Sequence, residues 1–272
     1  MFFSLPYEYT PCGLFSWGHA LLFCVTALLI AGGLYAARGW EPREVRRMVR
    51  VATALLWALE IGKILFVLFK TGSRNPNDFI PLYYCSLVLY AGLFSSVGKG
   101  HLRRLGDVFL ATGGLIGGAC FLICPDTSLP RYPVFHFISF HSFLLHGLMV
   151  FLGLLLLLRG VVRLRPADVG YCAGLVSAMC AAALAYNNIY SAVTGTDTAN
   201  LMFMSRDFPG TPVHLLYALT GRAFPVAMWL LQAFVPYYAV FGAVTFLSKK
   251  KKNCEKIHEA DGAGAPERGN YV

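Results

Sequence analysis

The sequence predicts an all-α membrane protein, a polytopic bundle of about seven transmembrane helices. Three observations carry this. Apolar residues make up 57% of the 272, charged residues only 14%, and the mean hydropathy is +0.58, a balance too apolar for a soluble domain of this length. Several apolar runs reach roughly 18 residues or more, the length that crosses a ~30 Å hydrocarbon core at about 1.5 Å of rise per residue. Lys and Arg collect in alternate loops between those runs, as topology signals do.

In chain order the expected spans are 14–37, 51–69, 80–98, 107–124, 134–158, 168–190 and 223–247. They form one bundle over 1–247, and 248–272 is expected to be a basic, disordered tail. The first Lys or Arg is Arg38, so the basic opening of a signal peptide is missing and the first run reads as a span. Placing the N-terminus outside puts 17 Lys and Arg in the cytoplasmic segments and five in the outer ones. The tail, with Lys249 to Lys252, is then cytoplasmic, and the chain is expected as a multi-pass protein of the cell membrane. A net charge of +9 does not indicate nucleic acid, because the cations sit in short loops beside apolar runs rather than along one helix face. The loop 191–222 is long for a membrane connection and contains apolar stretches, so a re-entrant or interfacial helix is expected there.

Polar groups inside spans need partners. Glu60 and Lys63 lie three residues apart on one face of span two and are expected to form an intramembrane ion pair. In span four Gly113, Gly114, Gly117 and Gly118 form two overlapping GxxxG patterns, which allow close helix approach. In span five His136, His141 and His146 are spaced by five residues. Successive rings lie about 140° apart, so the three make no single metal-binding stripe. Ser139 and Ser142 fall on the face of His146 and are expected to fix its tautomer through their hydroxyls. The eight cysteines show no CxxC pair and no regular framework, so neither disulfides nor zinc are predicted, and no cofactor is expected.

The topology gathers polar residues in the outer half: Pro81, Tyr83, Tyr84 and Cys85, the histidines of span five, then Asn187, Asn188 and Asn200. Buried polar groups of this kind pair with one another or line a cavity. A cysteine beside a histidine suits nucleophilic catalysis, the base taking the thiol proton and the thiolate attacking an acyl carbon. Cys85 and His141 lie about 8 and 10 Å below the starts of their spans and His146 about 18 Å, so helical rise favours His141 as partner.

The run IPLYYC at 80–85, FLLHG at 143–147 and TGTDTANLMFM at 194–204 resemble the bacterial YwaF-like membrane family and its animal relative, the transmembrane protein 164 family. The resemblance covers roughly 80–245. It implies a lipid acyltransferase with a membrane-embedded cysteine and histidine, with the FLLHG histidine, His146, as base. It departs at one point: the animal family carries cysteine directly after the proline, where this chain has Leu82, and Cys85 follows one helical turn on. Tyr83 stands where the bacterial pattern has histidine.

Two functional classes follow. One is an acyltransferase or lipid hydrolase acting on membrane lipids, with Cys85 as nucleophile, His146 or His141 as base, Asn187, Asn188 or Asn200 as oxyanion or orienting groups, and Tyr83 lining the substrate site. The other is a transporter or sensor for a small molecule or lipid, with Glu60 and Lys63 as coupling pair. An assembly protein without chemistry of its own is a third class.

Overall fold

The computed structural model describes residues 1–209 and 211–263, and every regular element among them is helical. The principal helices are α1 (Trp17–Ala36), α2 (Pro42–Leu65), α3 (Pro76–Phe79), α4 (Leu87–Val97), α5 (Gly100–Phe109), α6 (Leu115–Ile123), α7 (Phe137–Leu158), α8 (Val169–Thr194), α9 (Pro212–Thr220) and α10 (Phe224–Ala263). Helix starts are fixed by local chemistry. Ser16 Oγ accepts the His19 N–H at the head of α1, the Glu44 carboxylate accepts the Glu41 N–H before Pro42, and His136 Nδ1 accepts the Ile138 N–H at the head of α7, each satisfying a donor that the first helical turn leaves open.

Six stretches are long and apolar enough to cross a membrane: Trp17–Gly39, Pro42–Thr71, Gly100–Ile123, Phe137–Leu158, Pro166–Thr194 and Val213–Lys250. Leu28, Leu29, Val193 and Phe246 stand exposed on them, apolar surface of the kind a bilayer covers. The expected third span, 80–98, is the exception. Only Leu87–Val97 of it is helical, eleven residues, which rise about 16 Å. Residues 80–86 lead in as turns and extended chain. The seven expected spans are therefore six long helices and one short one.

Side-chain ties define the two ends of the bundle. At one end Arg46 of α2 grips Asp107 of α5 through two guanidinium nitrogens at 2.5 and 2.7 Å, and Ser95 of α4 donates to the same carboxylate at 2.6 Å. There too Arg104 pairs with Asp168, Arg159 donates to the Arg38 and Trp40 carbonyls, and Tyr237 of α10 donates to the Arg165 carbonyl. At the opposite end His19 of α1 meets the Leu122 carbonyl, and His136 packs edge-on against Phe66. Two of these helices begin earlier than the hydropathy indicated, at Pro42 rather than 51 and at Gly100 rather than 107. Their first turns carry arginines that read as loop but pair at the arginine-rich end. The 191–222 loop holds the short helix α9, and α10 runs past Ser248 to Ala263. The tail expected to lack structure thus begins as a continuation of the last helix, because no breaker intervenes among its lysines; 264–272 lie outside the described residues.

α4 and α5 pack closely at Gly106. A Cβ on Gly106 would sit 2.3 Å from the Ala91 carbonyl oxygen and 2.4 Å from the Ser95 nitrogen, backbone atoms that cannot swing aside. Gly106→Ala is expected to lower stability by about 1–3 kcal/mol through overpacking, measured as an earlier thermal unfolding midpoint in detergent. An unchanged midpoint would mean that the two helices are not held this close.

Candidate active site around His146

α6 and α7 cross at glycine. A Cβ on Gly118 would lie 2.7 Å from the His146 carbonyl oxygen and 2.9 Å from Met149 Cβ, while Cβ atoms on Gly113 and Gly117 would meet the Tyr84 side chain at 2.7 and 3.3 Å. The GxxxG array thus serves two partners: one stripe receives Tyr84, the neighbour of Cys85, and the other receives α7 at His146. This brings IPLYYC and FLLHG to the same helix at the same level.

His146 is buried, its ring stacked on Phe121 with centroids 3.6 Å apart and planes 9° from parallel. Its Nδ1 lies 2.7 Å from the Ser142 backbone carbonyl. A carbonyl only accepts, so Nδ1 carries the hydrogen and Nε2 is left as a lone-pair acceptor. Among the described residues that Nε2 has no partner. The tautomer is fixed by a main-chain carbonyl one turn back, not by the serine hydroxyls that the sequence pointed to; Ser139 donates instead to the Pro133 carbonyl.

His141 has a different environment. Glu60 and Lys63 form the expected ion pair at 2.6 Å, and His141 Nε2 lies 3.7 Å from the other Glu60 oxygen. Neither His141 nitrogen makes a hydrogen bond. Glu60 and His141 are 2% and 5% exposed, so the carboxylate depends on Lys63 for its counter-charge. The Lys63 ammonium also lies within electrostatic range of Cys85, His141 and His146.

Cys85 is half-buried and makes no hydrogen bond to either histidine among the described residues. It lies within electrostatic range of Cys120 on α6, a residue from Phe121, and next to Tyr84 over Gly113 and Gly117. Helical rise alone placed Cys85 level with His141. The segment before it is not a regular helix, since 83–86 form tight turns, so a depth reckoned at about 1.5 Å per residue does not hold for Cys85.

The third motif packs on the segment that precedes Cys85. The Met202 N–H donates to the Leu82 carbonyl at 3.1 Å, and the Tyr83 and Phe203 rings pack with centroids 5.2 Å apart. Met202 and Phe203 hold positive φ, 57° and 52°, a region that side chains other than glycine enter only when surrounding contacts enforce it. Those contacts are specific. Asn187 accepts the Leu201 N–H and donates to the Leu201 carbonyl and Ser205 Oγ; Gln232 donates to the Met202 carbonyl. Asn200 Oδ1 accepts the Ser205 and Arg206 N–H groups. Asn187 and Asn200 thus spend their polar atoms on the loop, whereas Asn188 is exposed and helps line a polar cavity of about 420 Å³ with Ser191, Asp197, Ser205 and Arg206. Hydrogen bonds from Ser191 and Arg206 hold the Asp197 carboxyl below the usual carboxylate range.

Asn187→Ala removes three hydrogen bonds at once and leaves loop backbone groups unpaired. It is expected to cost about 1–3 kcal/mol per orphaned buried group and to raise hydrogen exchange selectively at 200–206. Uniform exchange across the chain would contradict this bracing role.

Sequence reasoning missed Phe121, Asn77 and Gln232, and named Tyr84 only as one of the outer polar residues. Asn77 holds the loop through its contacts with the Asn200 N–H and the Thr198 carbonyl. The glycine stripe at 113 and 117 was the one signal that a bulky side chain must seat there.

No curated protein and no solved structure matches the chain. A family model does, that of the TMEM164 family, over residues 14–247, which spans all three motifs and the helices that position them. The expected kinship with the transmembrane protein 164 family is thereby borne out: this multi-pass helical membrane protein belongs to the TMEM164 family.

Proposed function

We propose that the protein is a membrane-embedded acyltransferase acting on phospholipids of the cell membrane, with Cys85 as nucleophile and His146 as general base. The observation that carries this reading is the buried, unpartnered Nε2 of His146, held as an acceptor by the Ser142 carbonyl. A nitrogen lone pair kept dry and free is poised to receive a proton, and Cys85, the neighbour of the Tyr84 that seats on the same glycine array, has a thiol to supply one. The Sγ–H proton passes to His146 Nε2 as the sulfur forms a bond to the ester carbonyl carbon of a phospholipid. The ester C–O bond then breaks, the departing lysolipid oxygen takes the proton from His146, and the acyl chain remains as a thioester on Cys85. A second lipid hydroxyl gives its proton to His146 and attacks the thioester carbon, the C–S bond breaks, and the departing sulfur takes that proton back from His146 to restore the thiol; water in place of the lipid hydroxyl gives hydrolysis. Membrane lipids are thus both donor and acceptor.

The test is incubation of the purified chain with an acyl-labelled phospholipid and an unlabelled lysolipid, read by mass spectrometry. Label is expected in the acceptor with wild type and not with Cys85→Ala; transfer of equal rate by the variant would overturn the assignment of the nucleophile.

A second reading is favoured by the Glu60, Lys63 and His141 cluster, since ionisable groups inside a bundle also mark ion or substrate paths. In that reading the chain carries or senses a small molecule or lipid, and substrate movement in vesicles responds to an ion gradient and stops in Glu60→Gln.

A further inference from the structure

We infer that the arginine-rich end of the bundle carries a binding site for the phosphate of an anionic phospholipid, separate from the chemistry around His146. A cavity of about 380 Å³ opens there, lined by Gly100, His101, Arg104, Arg165, Asp168 and Tyr171. The first turns of α5 (Gly100, His101, Arg104) and of α8 (Tyr171) build it, together with Arg165 and Asp168 of the connection from α7 to α8.

The charge balance around the cavity is one-sided. Segments 98–104 and 159–168 hold Lys99, Arg103, Arg104, Arg159, Arg163 and Arg165 against the single carboxylate of Asp168. That carboxylate is spent, because it accepts Arg104 Nε at 3.1 Å, Arg104 Nη2 at 2.5 Å and the Arg165 N–H at 2.7 Å. Arg104 is thereby fixed in orientation with Nη1 unengaged among the described residues. Arg165 is anchored only through its backbone, its N–H to Asp168 and its carbonyl to Tyr237, while its side chain stands exposed without an acidic partner. The His101 ring and the Tyr171 hydroxyl, 2.5 Å apart, supply further polar groups on the same wall. A rigid guanidinium, a second free one and neutral donors around a cavity of this size match a phosphate group, which accepts several charge-assisted hydrogen bonds at once.

The surroundings distinguish a lipid from a soluble anion. Val97, Leu102 and Leu158, at the helix ends in or beside these two segments, are 74%, 45% and 66% exposed. They offer apolar surface along which acyl chains lie while the headgroup reaches the cations, the arrangement of basic headgroup pockets between membrane helices.

The experiment uses the full chain in nanodiscs of phosphatidylcholine with increasing phosphatidic acid, and counts co-purifying lipid by native mass spectrometry. Wild type is expected to retain phosphatidic acid in preference to phosphatidylcholine. His101→Gln/Arg165→Gln, which removes two donors without touching the Arg104–Asp168 brace, is expected to weaken that preference by about tenfold at an unchanged unfolding midpoint. Arg222→Gln, an exposed cation outside both segments, is expected to leave it intact. Loss of equal size in Arg222→Gln would mean bulk charge attraction and would overturn the site, as would retention by the double variant equal to that of wild type. Displacement of the lipid by millimolar inorganic phosphate, or a midpoint raised by phosphate alone, would overturn the lipid assignment in favour of a soluble anion.

Discussion

His146→Gln is expected to slow acyl transfer by about 10²- to 10⁴-fold, the usual contribution of a positioned general base, with little loss of folded protein. Glutamine keeps an N–H donor for the Ser142 carbonyl and approximates the planar contact with Phe121, so α7 retains its local ties. What it lacks is a nitrogen lone pair able to take the thiol proton. The comparison with His141→Gln separates the two histidines. His141 borders Glu60 rather than the glycine crossing, and its replacement is expected to change transfer far less than that of His146. A larger effect at His141 would move the base to the position that helical rise alone favoured. Both rates are read from labelled lipid product at matched folded yield.

Lys63→Met is expected to destabilise the protein by about 3–5 kcal/mol, the cost of leaving a buried carboxylate without its partner. Glu60 is 2% exposed and takes its only ammonium from Lys63 at 2.6 Å. The double variant Glu60→Gln/Lys63→Met removes both charges and is expected to regain most of that loss, read as the thermal unfolding midpoint. Stability and activity should then part company. The charge of Lys63 acts on Cys85 and on both histidines, so the double variant, though refolded, is expected to transfer at an altered rate. If the double variant is as unstable as Lys63→Met, the pair is not isolated from other charges as described. If its transfer rate returns with its stability, Lys63 has no part in the chemistry.

The membrane-spanning helices were legible because hydropathy reports burial in lipid directly, and the Glu60–Lys63 pair was legible from its spacing. The brevity of the third passage was not, since IPLYYC is as apolar as the helix it precedes and hydropathy does not register whether apolar chain is coiled or extended. The turns at 83–86 likewise make a depth for Cys85 reckoned from helical rise invalid. The arginines that open α2 and α5 read as loop because their counter-charges, Asp107 and Asp168, lie 61 and 64 residues away from Arg46 and Arg104. The GxxxG stripes announced a close approach without naming who approaches; Tyr84 and the His146 carbonyl come from other segments. Likewise the TGTDTANLMFM run displayed no periodicity, because its shape is imposed by Asn187, Gln232 and the Leu82 carbonyl rather than by its own propensities.

The central claim is that an acyl chain passes through sulfur on Cys85. Its most direct measurement is peptide mass spectrometry of the purified chain quenched in acid shortly after mixing with phospholipid and no acceptor. The mechanism predicts a hydroxylamine-labile acyl mass on the peptide containing Cys85 in wild type, accumulating far more slowly in His146→Gln. Lipid product with no acyl mass on Cys85, or an acyl mass on Cys120 that persists in Cys85→Ala, would contradict it.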